Sequence, residues 1–297
     1  MKTLLKRLLF FLARSLSRLP LGVLYVLSDM ARPFVGGYRR KIVRRNIANS
    51  FPEKTEEERK AIERGFYHFL CDYGVETLKL LTISKQEMMR RMRFEGVEEV
   101  RAELTDHPFV FLYLGHYCNW EWISSLPAWV DCQCGQLYKH LHDPVLDQFF
   151  YRLRTRFEAL NIDKNNALRS VLKLKAEGTP AIIGFISDQA PKWDSIHDWV
   201  DFLNQDTPVF TGTERIAKKV NAAIYFVDVE RPKRGYYVGR LRKMTDNVGE
   251  FGEYKLTELY MKQLEAMIRR APEFYLWSHN RWKRQRNNAP EGFRAGQ

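Results

Sequence analysis

Long apolar runs are missing from this chain. Near the N-terminus the stretch without a charge, residues 19–28, is half of the roughly 20 residues that a membrane-spanning helix needs. Arg14 and Arg18 interrupt the apolar sequence before it, so it does not read as the core of a secretory signal peptide. Cysteine is scarce: Cys71, Cys118, Cys132 and Cys134, with only a lone C-x-C among them. That weighs against a disulfide framework or a structural zinc site and implies free thiols in a reducing compartment. Phosphate-binding Gly-rich loops, zinc fingers, helix-turn-helix and RNA-binding motifs are absent, as is the G-x-S-x-G elbow of serine hydrolases. The histidines His107, His116, His140, His142 and His197 lack metal-site spacing, and H-x-x-x-x-E is not the H-E-x-x-H of a metal hydrolase. No internal repeat or low-complexity linker appears.

What is present is the composition of a globular protein: 297 residues, 45% of them apolar, enough for a sizeable core. Forty-eight Lys and Arg against 36 Asp and Glu leave a net charge of +12, which calls for an anionic partner: nucleic acid, an anionic membrane or an acidic substrate. Tryptophan and tyrosine are plentiful, as at membrane interfaces. On a helical wheel Leu5, Leu8, Leu9, Leu12, Leu16 and Leu19 fall within roughly 100°, and Arg7, Arg14 and Arg18 lie nearly opposite. This is the pattern of a helix lying in the membrane interface. Pro20 ends or kinks it, and residues 21–27 add a second apolar piece, so a bent hairpin is one alternative and a helix packed on the protein's own core another. Residues 1–37 are expected to anchor at a membrane and residues 38–297 to form the main domain.

That domain begins helically, over 38–105, with Thr55 capping a helix whose first turn holds Glu56, Glu57 and Glu58. After Pro108 the texture changes. Residues 108–114, 180–187 and 222–229 are short apolar runs expected of strands buried on both faces, and 133–139 and 236–242 are weaker strand candidates. Helical patterns cover 144–160, 165–176, 213–220 and 255–270. The alternation predicts an α/β core over 106–285 with a largely parallel central sheet flanked by helices. The tail from Lys283 is polar and basic.

The first buried strand runs into GHYCNWEW, residues 115–122. Sites in open α/β sheets gather at the carboxyl ends of strands, and His116 stands there. A histidine acting as a base needs a partner on its other ring nitrogen, and Glu121 is the candidate. Residues five apart point about 140° apart on one helix, so the pair meets only if His116 lies in a turn before the helix starts; Gly115 eases such a turn. Asn119 is placed to cap the helix or orient a substrate, and Trp120 and Trp122 to pack it or line an acyl pocket. Without further context, a satisfied polar residue at a strand end is the favoured reading of His116, and it is the context that shifts the balance.

GHYCNWEW is similar to the G-H-x-x-N-W-E box of the lipid A biosynthesis acyltransferases, part of a wider lysophospholipid acyltransferase group whose other members usually carry Asp at the position of Glu121. RRNIANSFPEKTEEER, ISDQAP (186–191), FTGTERIAKKVNAAIYFVDVER (210–231) and PEFYLWSHNRWK (272–283) resemble further segments of the same family, in order along nearly the whole chain. Cys118 stands where the family usually has Gly, and Phe210 where it usually has Pro.

The resemblance implies a glycerolipid acyltransferase-like fold. It implies transfer of an acyl chain from acyl carrier protein or coenzyme A to a hydroxyl of an anionic glycolipid, a lipid A precursor. His116 would be the general base, Glu121 would hold it, and neither metal nor cofactor is expected. Arg154, Arg156 and Arg169 are candidates for phosphate or the tetrahedral oxyanion, against a role as solvated helix-surface charge. Asp188 and Gln189, at another strand end, orient substrate or cap a turn. Thr211, Gly212 and Thr213 open a helix that binds an anion or is simply capped. Arg281, Trp282 and Lys283 anchor at the membrane or close the site. A monomer at the cytoplasmic face of a Gram-negative inner membrane, serving lipopolysaccharide biosynthesis and not binding nucleic acid, is the expectation. The alternatives are an acyltransferase for another lipid (phospholipid, aminolipid or pigment lipid) and a non-enzymatic basic protein that binds membranes or nucleic acid.

Overall fold

A computed structural model describes residues 2–293, with side chains from Phe10 onward. Met1, residues 294–297 of the basic tail, and the side chains of Leu5, Arg7, Leu8 and Leu9 on the expected amphipathic wheel lie outside the described residues. Two helices, α1 (Lys2–Ser17) and α2 (Leu21–Val35), are followed by α3 (Arg40–Ser50), α4 (Glu56–Lys79), α5 (Lys85–Arg91), strand β1 (Met92–Glu95) and α6 (Val97–Asp106). The core then reads β2 (Phe109–Leu114), β3 (Gln133–Tyr138), α7 (Pro144–Arg154), β4 (Leu160–Asp163), α8 (Ala167–Ala176) and β5 (Ala181–Ile186). A hairpin of β6 (Asp198–Phe202) and β7 (Gln205–Val209) precedes α9 (Gly212–Val220), β8 (Ala223–Lys233), β9 (Tyr236–Thr245) and α10 (Lys255–Arg270).

Seven strands form one sheet in the order β1-β9-β8-β2-β5-β3-β4. Every neighbouring pair is parallel except the β8–β9 hairpin. The physical reason is visible in β2: all six of its residues are buried, as expected of a strand covered on both faces. Each such side chain contributes about 1.5–3 kcal/mol by leaving water. The expected largely parallel sheet flanked by helices is therefore what the chain forms.

Several boundaries differ from the sequence reading. The helix expected over 144–160 stops at Arg154. Glu158 takes a left-handed backbone (φ 70°), and β4 then adds to the sheet edge beside β3. β1 and the β6–β7 hairpin carry no clear sequence signal. The hairpin turns on Leu203 and Asn204, both left-handed, with no glycine to announce it. No α-helix follows His116; a 3-10 segment over Trp122–Ala128 takes its place, and it contains Pro127.

Thr55 caps α4 as expected: its hydroxyl accepts from the Glu58 amide, and the Glu58 carboxylate accepts from the Thr55 amide. Arg18, Leu19 and Pro20 separate α1 from α2, and the two axes bend by 119°. Among the described residues no single helix is long and apolar enough to cross a membrane; this bent pair reaches the required length and apolarity only together. α2 buries Leu21, Leu24 and Ser28, packs on α4, and leaves Val23, Val26, Leu27, Met30 and Phe34 exposed. Phe11, Leu12 and Leu16 of α1 are exposed as well.

Candidate active site

β2 and β5 are parallel neighbours with Leu114 opposite Ile186. The residues two beyond each strand end, His116 and Asp188, therefore emerge side by side. Asp188 accepts twice from His116, from the backbone N–H at 2.8 Å and from the ring Nδ1 at 2.6 Å. Its carboxylate is buried, while His116 keeps a 17% exposed side chain. Burial alone would push the Asp188 carboxyl up. The His116 charge, the hydrogen bonds from its ring and backbone, and the charge of Arg281 outweigh that and hold it below the usual range. The Gln189 amide nitrogen stands 3.2 Å from His116 Nε2, and the Trp120 ring meets the imidazole edge-on.

The loop carrying His116 is pinned from the far end of the chain. Leu276 N–H donates to His116 O, Cys118 N–H donates to Phe274 O, and Tyr117 bridges to Tyr275. Gly115 matters for space, not for a turn: a Cβ there would come within 2.5 Å of Leu264 Cδ1 on α10. The left-handed residue is Cys118 (φ 51°), a conformation that glycine adopts without strain. Burial pushes the Cys118 thiol well up, although Arg231 works the other way, so it is no thiolate.

Glu121 does not hold His116. It is buried and takes a two-point ion pair from Arg154, Nε to Oε2 at 2.8 Å and Nη2 to Oε1 at 2.7 Å. Burial works against the Arg154 charge, but Glu121 more than offsets it and keeps the guanidinium above its ordinary range. The sequence pairing fails because the 3-10 segment turns Glu121 inward, toward the end of α7.

Asn119 is also spent inside the protein. Its side-chain oxygen accepts from the Trp122 amide, so it caps the 3-10 segment, and its amide donates to Glu76 Oε2 at 2.7 Å. Glu76, on α4, is fully buried and accepts in addition from Tyr25 on α2 and Tyr237 on β9, both at 2.7 Å. Burial raises its pKa against the pull of Arg231 and these three donors. Beside it, Arg231 near the end of β8 and Arg234 from the β8–β9 turn pair with Asp72, and Arg234 also pairs with Asp29. Gly235 completes the joint: any Cβ there would overlap the Tyr25 hydroxyl at 2.1 Å. Asp29, His68 and Asp72 bring ligand atoms within 4.8 Å of one another, but arginines already occupy both carboxylates.

The other candidates separate cleanly. Arg156 donates to Ile83 O, and Arg169 is exposed on α8 away from the cleft, so neither reaches His116. Thr211 is buried without a side-chain capping bond, whereas Gly212 and Thr213 line the same cleft as His116. Arg281 and Trp282 are interior, donating to Pro208 O and Thr207 Oγ1 respectively, and so do not anchor at a surface.

The cleft holds about 350 Å³ and is lined by His116, Gln189, Lys139, Lys164, Phe210 and Gly212 among others. A second, narrow apolar slot of about 50 Å³ lies behind Glu121, between β2, β3 and β5, lined by Leu112, Ile123, Leu126, Gly135, Ile182 and Gly184 among others. Arg154, Leu137 and Ile186 border both spaces. A polar site with a histidine–carboxylate pair thus opens beside an apolar pocket. Lys139, Lys164 and Glu76 escaped the sequence reading because none stands in a recognisable motif.

The chain is 26% identical over 258 residues to the lipid A biosynthesis palmitoleoyltransferase of Escherichia coli (strain K12), covering 86% of this chain and 81% of that protein. It is 20% identical over 276 residues to the lipid A biosynthesis acyltransferase 2 of Shigella flexneri, covering 90% and 86%. It is 20% identical over 250 residues to the lipid A biosynthesis myristoyltransferase of Escherichia coli (strain K12), covering 80% and 73%. Residues 3–284 match the family described as bacterial lipid A biosynthesis acyltransferase, and the chain is an acyltransferase belonging to that family.

Proposed function

We propose that this acyltransferase moves a fatty acyl group from a thioester of acyl carrier protein or coenzyme A to a hydroxyl of a lipid A precursor. The observation that carries the chemistry is the 2.6 Å contact between His116 Nδ1 and Asp188 at the head of the basic cleft. With a buried carboxylate on Nδ1, the ring proton sits there and Nε2 is the basic nitrogen. Nε2 takes the proton of the acceptor hydroxyl as its oxygen attacks the thioester carbonyl. The tetrahedral intermediate collapses, the C–S bond breaks, and His116 returns the proton to the leaving thiolate. Asp188 stabilises the imidazolium in between. The acyl chain lies toward the apolar slot, past the Glu121–Arg154 pair, which sets the wall between slot and cleft.

The exposed apolar residues of α1 and α2, with Arg32, Arg39, Arg40 and Lys41 exposed just beyond them, support a seat on an anionic membrane surface. The test is acyl transfer by the purified chain in detergent, with acyl-carrier-protein and coenzyme A thioesters and a tetra-acylated lipid A precursor. Mass spectrometry of the wild type is expected to find one added acyl chain, absent in His116→Ala. A gain that survives His116→Ala removes the proposed base. No gain with any donor removes the substrate assignment.

A further inference from the structure

One face of α4 grips the segment after His116 at three points. Tyr73 and Glu76 stand three residues apart on that helix, so their side chains leave it as neighbours. The Tyr73 ring stacks on Trp120 with centroids 4.2 Å apart. The Glu76 carboxylate accepts from the Asn119 amide at 2.7 Å, and the Glu76 backbone carbonyl accepts from Trp122 Nε1 at 3.1 Å. Glu76, Asn119, Trp120 and Trp122 are all buried. The grip is itself braced: Tyr25 and Tyr237 donate to the Glu76 carboxylate, and the Tyr237 ring meets Trp122 edge-on.

The gripped segment borders the chemistry on two sides. Trp120 meets the His116 imidazole edge-on, with centroids 5.2 Å apart, and it also lines the apolar slot. The Asn119 side-chain oxygen caps the Trp122 amide and so starts the 3-10 segment that turns Glu121 toward Arg154. Backbone bonds from residues 274–276 fix His116 and Cys118. Beyond Cys118 the contacts from α4 take over. An amide at position 119 suits this place, because it donates to Glu76 with one end and accepts from the Trp122 N–H with the other.

We propose that Glu76 is a positioning residue for acyl transfer: acting through Asn119, with Tyr73 beside it, it sets the Trp120 ring against His116 and the apolar slot. This rests on the reading of His116 as the base of that reaction. Glu76 touches no reacting atom; it fixes the wall beside the imidazole. The donor and acceptor ends of Asn119 supply the means of testing it. In Asn119→Asp a second carboxylate meets Glu76 at hydrogen-bond distance, and the two repel. In Asn119→Asp/Glu76→Gln the roles are exchanged. The glutamine amide donates to the aspartate, which still accepts from the Trp122 N–H, and the Tyr25 and Tyr237 hydroxyls turn to donate or accept as required.

The experiment measures kcat and KM at about pH 8.5, with acyl thioesters and a tetra-acylated lipid A precursor, for wild type, Asn119→Asp, Glu76→Gln and the double variant. Asn119→Asp is expected to lower kcat about 10- to 100-fold with KM within about threefold, and Glu76→Gln to lower it less than about fivefold. The double variant should return to within about threefold of Glu76→Gln, a rescue that independent structural defects would not give. A double variant no faster than Asn119→Asp overturns the proposal, as does an Asn119→Asp enzyme as fast as wild type or a loss confined to KM. Hydrogen exchange reads the same grip without turnover. Peptides spanning residues 116–122 should exchange faster in Asn119→Asp and recover in the double variant, while peptides from β5 stay unchanged. Faster exchange throughout the chain, unrelieved in the double variant, would make Glu76 a stability element alone and overturn the proposal. A wild type and variants that follow the expected exchange pattern but transfer no acyl group refute the acyl-transfer reading and leave the grip on the His116 loop standing.

Discussion

Replacing Asp188 with asparagine discriminates between the two carboxylates near the His116 box. Asp188 accepts from two donors on one residue, the His116 amide at 2.8 Å and Nδ1 at 2.6 Å. Asparagine offers one acceptor oxygen and one amide group. If its oxygen stays on the backbone N–H, its NH2 faces Nδ1, which must then give up its proton, and Nε2 ceases to be the base. If the amide turns over, two backbone-facing donors oppose each other. Hydrogen bonds to charged groups contribute about 1.5–3 kcal/mol, so kcat should fall at least about 10- to 200-fold. Population of the wrong tautomer deepens the loss. Initial rates of acyl transfer read by mass spectrometry, at saturating donor and acceptor, give the number. Glu121→Gln keeps the shape of its side chain beside Arg154 and should lower kcat far less. If Asp188→Asn stayed within about threefold of wild type while Glu121→Gln fell to the level of His116→Ala, the His116–Asp188 mechanism would be wrong.

Other perturbations test other parts of the argument. Arg154→Ala leaves Glu121 buried without its partner and should cost about 3–5 kcal/mol of stability in denaturant titration, with much of it recovered in Arg154→Met/Glu121→Gln; equal stability of single and double variants refutes the pairing. Gly184→Val fills the slot between β2, β3 and β5, where an added Cβ would stand 3.3 Å from Leu114 Cδ1, so the preferred acyl donor should shorten in a chain-length panel; an unchanged preference places the acyl chain elsewhere. His279 has its pKa lowered by burial from 6.5 to about 4, and the nearby Asp188 only partly offsets this. The unfolded chain therefore binds its proton first. The His279 contribution to stability should fall by about 3 kcal/mol as pH drops from about 6.5 to 4, and change no further below. His279→Gln should flatten that limb of a melting-temperature profile, and an unflattened limb assigns it to other groups.

The sheet was legible where apolar runs of strand length stood between helical patterns, as in residues 108–114 and 180–187. The edge strand β4 was not, because Leu160–Asp163 is short, half exposed and follows a helical stretch without a glycine to separate them. His116 was legible from its place at a strand end. Its partner was not, because strand register is a property of the folded sheet: Asp188 lies 72 residues away and arrives beside His116 only through the Leu114–Ile186 pairing. The nearness of Glu121 in sequence was misleading for the same reason, since a 3-10 segment, not an α-helix, sets its direction. The arginines after the box misled as well. Sequence counts charges without their counter-ions, and Arg154 had one waiting while Lys139 and Lys164 did not.

The bond from Tyr25 to Glu76 and on to Asn119 joins the apolar helix α2 to the loop that bears His116. Residues 1–37 are what one would trim to test the proposed seat on a membrane surface. Such a cut would strip a donor from a buried carboxylate and uncover the Gly235 notch in which Tyr25 sits. This segment is a keystone of the fold, and a shortened enzyme would fail by losing the shape of its reaction centre even with its substrates delivered in solution.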